Sequence, residues 1–164
     1  RHPHIFDKNY EGEDPSKVKN WELNKKKEKK RKSILDGVPN SLPSLIISQR
    51  YQDKTGAVGF EWENAKQAML KVDEELNELK NAIKNNDDKN IEEEIGDLLI
   101  TVVNIARFFN VSAELALKKT NKKFYNRFHY IENEAKIKKQ NIEDLSLKEL
   151  LKYWEKAKNE EKAN

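Results

Sequence analysis

KVDEELNELKNAIKNNDDKNIEEEIGDLLITVVNIARFF, residues 71–109, decides how this chain folds. Extended backward to Met69, its apolar positions fall at Met69, Val72, Leu76, Leu79 and Ile83, spaced 3, 4, 3 and 4. That period is helical and excludes a strand, whose side chains alternate every second residue. The spacing predicts a helix over residues 63–84, with those five residues as its apolar seam. A second helix is predicted over residues 89–109, burying Ile91, Ile95, Leu98, Leu99, Val102, Ile105 and Phe109. Between them lies only Asn85-Asn86-Asp87-Asp88, a turn too short for anything but an antiparallel pair.

Working outward, Pro43 opens a helix expected to run to about Lys54, and Gly56 and Gly59 break it before the connection GFEW. Downstream, Ser112 is a suitable N-cap for a helix to about Lys136 that carries Leu117, Thr120, Phe124, Phe128 and Ile131 on one side. Ser146-x-x-Glu149 is a capping box starting a last helix with Leu147, Leu150, Leu151 and Trp154 on one face. Upstream, residues 1–14 lack periodicity, and a helix is expected from Asp14-Pro15 to about Arg31. The fold class is all-α. Domain boundaries are expected at 1–40 for an arm with a basic helix, 41–137 for the main helical domain, and 138–164 for a C-terminal helix.

Composition agrees. In 164 residues there are 5 Gly and 4 Pro, too few turn formers for an all-β sandwich. The net charge of +3 is a small remainder of 32 basic and 29 acidic side chains, which does not argue for nucleic acid. The tract KKKEKKRK, from Lys25 to Lys32, has seven basic residues in eight but no aromatic interleaving, and reads as a solvated helix. Its alternative reading makes the chain a non-catalytic binding module for nucleic acid or a protein partner. With no cysteine there is no disulfide, thiolate zinc site or thiol nucleophile. His2 and His4 flank Pro3 without a third ligand and are read as structural. No signal peptide is visible and the longest apolar run, starting at Leu98 and ending at Val103, cannot span a bilayer, so no membrane is expected and a cytoplasmic protein is the simplest reading. The chain opens on Arg1 rather than Met, which reads as a piece of something longer.

Two acidic pairs carry the chemistry: Glu75 and Glu78 in EELNE, and Glu94 and Asp97 in EEEIGD. Three residues apart, each pair shares a helix face, and antiparallel packing would bring four carboxylates together. About five acid-x-x-acid pairs are expected by chance at this acidic content, so spacing alone decides little. Position says more. Glu75 lies three after Val72 and four before Leu79, and Glu94 lies three after Ile91 and four before Leu98, so both point inward. Carboxylates facing a core repel one another and raise each other's pKa unless a cation joins them. Oxygen-only ligands suit Mg²⁺, with Mn²⁺ as a substitute, better than Zn²⁺. Hydrolysis of a phosphate ester or anhydride is the chemistry such a site suits. The competing reading is two surface faces salt-bridged to nearby lysines.

The ordered series RHPHIF, LDGVPNSLPSL, AVGFEW, KVDEELNEL, EEEIGDLLITVVNIAR and NKKFYNRF resembles the second half of MazG proteins over nearly the whole chain. The family's EExxE then ExxD signature is matched by Glu74, Glu75 and Glu78, then Glu94 and Asp97. The resemblance implies that Glu75, Glu78, Glu94 and Asp97 ligate Mg²⁺. It implies attack of a metal-activated water on the α-phosphate of a nucleoside triphosphate, giving monophosphate and pyrophosphate, on an all-α bundle that forms a homodimer. Lys123 and Arg127 match family basic residues expected to hold phosphates, and Trp154 matches an aromatic expected against the nucleotide. Asn104, seven after Asp97, is a candidate for substrate or a metal-bound water. Lys71 is read as a surface lysine. Helical relatives such as dimeric dUTPase and phosphoribosyl-ATP pyrophosphatase share the multi-carboxylate site, but the order of RHPHIF, LDGVP and VGFEW argues against both.

Overall fold

The computed structural model describes residues 32–163; the expected basic helix, all of the Lys25 tract except Lys32, and His2 and His4 lie outside them. Among the described residues every long element is an α-helix: α1 (Ser44–Gly56), α2 (Ala65–Asn85), α3 (Asp88–Phe108), α4 (Ala113–Ile137) and α5 (Leu147–Ala163). A single 3₁₀ turn, Ile142–Asp144, precedes α5. The chain divides into two compact units, one ending at Glu114 and one starting at Leu115. No single described helix is long and apolar enough to cross a membrane.

The helix ends follow from local chemistry. Asn64 caps α2 by accepting the Gln67 N–H at 3.0 Å, which moves the start two residues past the expected one. At its far end Asn86 adopts a left-handed conformation (φ 52°). Its N–H donates to the Ile83 carbonyl and the Asp87 N–H to the Ala82 carbonyl, both at 3.1 Å. This pair of bonds satisfies the last free carbonyls, and Asp87 then caps α3. The same closure recurs after α3 at Asn110 (φ 54°) and after α4 at Lys139 (φ 55°). Asparagine tolerates this backbone region, and its place after both α2 and α3 is why each helix stops where it does.

The expected capping box of α5 is present. The Glu149 carboxylate accepts from the Ser146 N–H at 2.9 Å and hydroxyl at 2.6 Å, while the Glu149 N–H donates to Ser146 Oγ at 3.4 Å. The Ser146 donors hold the Glu149 carboxyl below its ordinary pKa. A depressed folded-state pKa contributes stability that is present above the unfolded value and lost as pH falls through the folded one. Ser146→Ala removes this cap hydroxyl and is expected to lower stability near neutral pH. That difference should shrink as acid protonates Glu149, as urea melts of both proteins from pH 7 to pH 3 would show.

In the first unit α2 and α3 form a hairpin with α1 packed on α3. The residues buried on α2 are Ala68, Glu75 and Ala82, at intervals of seven, and those on α3 are Thr101 and Val103. Small side chains at Ala68 and Ala82 let the helices approach closely. The seam expected to be interior is so only in part, Val72 and Leu79 on α2 and Ile91, Leu98 and Ile105 on α3 being half-buried. Met69, Leu76 and Ile83 on α2, and Ile95, Leu99, Val102 and Phe109 in and after α3, are exposed within the chain, Ile83 and Leu99 by about half. The helical period was read correctly, but the buried stripe lies one position before the seam on α2. In the second unit Ile131 and Ala135 of α4 and Tyr153 and Ala157 of α5 are buried, while Leu117, Phe124 and Phe128 remain exposed.

Candidate active site

The inward stripe of α2 carries a charge. Glu75 is 5% exposed, an expensive place for a carboxylate without compensation. Part of the compensation is local: Lys71, one turn earlier, places its ammonium 2.8 Å from Glu75 and 3.0 Å from Glu74. Those bonds hold the lysine well above its usual pKa range, so it is a fixed cation. Lys71 is thus a partner of the buried acid rather than the surface lysine read from sequence. The K-x-x-E-E spacing was the available signal, since residues three and four apart meet on a helix.

Across the hairpin, Glu94 of α3 comes to the same place. Carboxylate oxygens of Glu75, Glu78 and Glu94 all lie within 4.8 Å of one another. Glu75 is buried, Glu94 half-buried and Glu78 exposed. Desolvation, then repulsion from Glu78, Glu75 and Asp97, raises the Glu94 pKa. Its Oε2 is shut away from solvent with no hydrogen-bond partner among the described residues. A mutually repelling carboxylate triad with an orphaned oxygen fits a hard divalent cation, because no cation among the described residues pairs with Glu94 there. Asp97 is exposed and stands outside that triad. It lies with Glu75 on the wall of an adjoining cavity, and its backbone carbonyl accepts the Thr101 hydroxyl at 2.8 Å.

That cavity, about 520 Å³, belongs wholly to the first unit. Glu61, Lys71, Glu75 and Asp97 are its charged lining; Phe60, Trp62 and Ile100 supply apolar surface, and Gln52 and Asn104 supply amides. The Gln52 amide nitrogen donates to the Ile100 carbonyl at 2.8 Å, joining α1 to α3. The GFEW connection is held by an ion pair between Glu61 and Arg107, the latter only 17% exposed in its side chain. Gly56 makes room for this pair: a Cβ there would stand 2.8 Å from a Glu61 carboxylate oxygen and 3.1 Å from an Arg107 nitrogen. Arg107→Ala is expected to free residues 57–64 and speed their cleavage by a protease about tenfold, with little change in global melting. Equal cleavage rates in both proteins would show that the ion pair does not hold the connection.

The remaining candidates lie in the second unit. Arg127 donates through Nε and Nη2 to one Glu161 oxygen, at 3.0 and 2.7 Å, and its guanidinium lies 5.5 Å from the Trp154 ring. Phe124 meets the same ring at 5.1 Å. Arg127 and Trp154 are therefore brought together, with Glu161, unread in the sequence, taking the Nε and Nη2 donors of Arg127. Lys123 is exposed on α4. Asn104 lines the cavity of the first unit with its carbonyl oxygen buried and unpartnered.

Residues 63–131, which include the triad, Asp97 and Arg127, match the MazG nucleotide pyrophosphohydrolase domain. The chain is 42% identical over 161 residues to the nucleoside triphosphate pyrophosphohydrolase/pyrophosphatase MazG of Thermotoga maritima, covering 96% of this chain and 60% of that protein. It is 34% identical over 166 residues to the nucleoside triphosphate pyrophosphohydrolase of Escherichia coli, covering 98% of this chain and 63% of that protein. Protein YabN of Bacillus subtilis, described as uncharacterized, is 40% identical over 166 residues, 99% of this chain and 34% of its own length. The chain thus spans about three fifths of the length of the first two relatives. The carboxylate triad is built on the two helices that this match covers, and residues 63–131 are a domain of the MazG nucleotide pyrophosphohydrolase type.

Proposed function

We propose that this chain hydrolyses nucleoside triphosphates to nucleoside monophosphates and pyrophosphate, with Mg²⁺ as its metal and Mn²⁺ as a substitute. The observation that carries the reading is the Glu75–Glu78–Glu94 cluster with its unpartnered Glu94 oxygen. These three, with Asp97 at the cavity wall, would hold the metal, and Glu74 would share Lys71 with Glu75 and so fix the lysine. A divalent ion held by these carboxylates would supply positive charge toward the α-phosphate and the departing pyrophosphate. Lys71 adds a permanent cation beside the phosphates' path. Lys123 and Arg127 would bind the outer phosphates, Arg127 on release from Glu161, and Trp154 would lie against the nucleotide.

The working form we propose is a homodimer. Met69, Leu76 and Ile83, seven apart, make one apolar stripe on α2, and Ile95, Leu99 and Val102 make another on α3. Stripes of this size on a hydrolase with so few buried apolar residues call for a second surface. The test of activity is pyrophosphate release from a panel of ribo- and deoxynucleoside triphosphates and phosphoribosyl-ATP, with and without Mg²⁺. Release from the nucleoside triphosphates only when Mg²⁺ is present is the expected result; turnover of phosphoribosyl-ATP alone would overturn the reading.

A further inference from the structure

Arg127 already holds an anion, and that anion belongs to the chain. Its Nε and Nη2 both donate to one oxygen of Glu161, at 3.0 and 2.7 Å, so the guanidinium meets a carboxylate as it would meet a phosphate oxygen. Both side chains keep part of their surface in water, 22% for Arg127 and 32% for Glu161. Solvent screens a pair of that exposure, which leaves it weak enough to exchange. Its geometry is also incomplete. Both donors share a single oxygen, whereas a fork-on-fork pair uses two.

What positions the guanidinium is separate from what occupies it. Its centre lies 5.5 Å from the Trp154 ring, and Phe124 meets that ring at 5.1 Å. The ring contact draws on the charge of Arg127 and not on the donors given to Glu161, so it persists when the carboxylate leaves. Glu161 itself stands in the last turn of α5, the end of a helix where free carbonyls disfavour a carboxylate. Its neighbour Glu160 accepts from the Tyr130 hydroxyl at 3.0 Å, so two adjacent acids of that turn reach α4, one on a phenol and one on a cation. All of these residues belong to the second unit.

We infer that Glu161 is an internal competitor for the donors of Arg127, occupying them until a polyphosphate end displaces it and returning to them as pyrophosphate leaves. The inference rests on the proposed hydrolysis, in which Arg127 meets the outer phosphates, and adds a residue that weakens the hold on the product. Exchanging one anion for another keeps Arg127 neutralised in both states, so each exchange costs only the difference between two ion pairs.

Binding of the product tests this without turnover. Calorimetric titrations of the full chain in Mg²⁺ with pyrophosphate, and separately with a nucleoside monophosphate, would compare wild type, Glu161→Gln and Glu160→Gln, and Arg127→Ala with and without Glu161→Gln. Glutamine keeps the side-chain shape and removes the charge. Pyrophosphate is expected to bind Glu161→Gln about three- to tenfold more tightly than wild type, with monophosphate affinity unchanged. Pyrophosphate should also inhibit turnover of that variant more strongly by the same factor. Glu160→Gln loosens the same turn without touching Arg127 and should bind pyrophosphate as wild type does; in a chain carrying Arg127→Ala, Glu161→Gln should change nothing. Unchanged pyrophosphate affinity in Glu161→Gln, an equal gain for the monophosphate or in Glu160→Gln, or a gain that survives Arg127→Ala would overturn the inference while leaving hydrolysis by wild type intact. Tighter pyrophosphate binding by Glu161→Gln, in a chain whose wild type releases none from nucleoside triphosphates, would sink the proposed reaction and keep the competitor.

Discussion

Glu75→Ala is expected to lower kcat/KM for Mg²⁺-dependent pyrophosphate release by about a thousandfold, the upper end of what one electrostatic group supplies to a reaction. Glu75 is the buried member of the carboxylate triad and the only one that both Lys71 and the cavity contact. On the proposed reading, removing it takes away a metal ligand and unbalances the charge that Lys71 answers. The fold should survive. Lys71 stays paired with Glu74 at 3.0 Å and is about one third exposed, so no buried cation is stranded. The alanine also extends the small-residue line of Ala68 and Ala82 along the helix contact. Helical circular dichroism and the melting midpoint are therefore expected to stay close to wild type. Asp97→Ala is expected to lose activity as well, and comparing the two would separate a triad member from a residue on the cavity wall. Wild-type turnover in Glu75→Ala, with Mg²⁺ still required, would remove Glu75 from the metal site.

The second large effect is on assembly. Leu99 is about half exposed in the chain, so Leu99→Glu on a free surface should change stability by less than about 0.5 kcal/mol. Under a second copy the same substitution buries a carboxylate against apolar side chains, with its symmetric equivalent close by. That costs several kcal/mol, and the dimer dissociation constant should rise by at least about a hundredfold. Light scattering behind gel filtration is expected to show wild type at twice the chain mass and Leu99→Glu at the chain mass. A variant that elutes and scatters as wild type does would leave the α3 stripe uncovered and refute the homodimer through that face.

The α2–α3 hairpin was legible because its signals are local. A 3, 4, 3, 4 apolar spacing, an asparagine that accepts a left-handed backbone and a serine-glutamate capping box each act within one or two turns of helix. The boundaries moved by about two residues where a cap stood inside the apolar pattern, as at Asn64. The acid pairs were legible as faces of helices. Lys71 was misjudged because a lysine four before a glutamate is common on solvated helices, and nothing local says that this glutamate is buried.

By itself, then, the sequence determined the helices, their antiparallel pairing and the two acid-bearing faces, because backbone hydrogen bonding and side-chain period depend on neighbours in the chain. Only tertiary packing decided that Glu75, Glu78 and Glu94 share one point while Asp97 lines the cavity, that the Gln52 and Asn104 oxygens find no partner among the described residues, and that Met69, Leu76, Ile83 and Leu99 of the apolar seam stay exposed. The physical reason is that a helical period fixes which residues share a stripe, whereas burial depends on which other helix covers that stripe. On α2, the alanines at Ala68 and Ala82 allowed α3 to cover the stripe beside the one with the larger side chains.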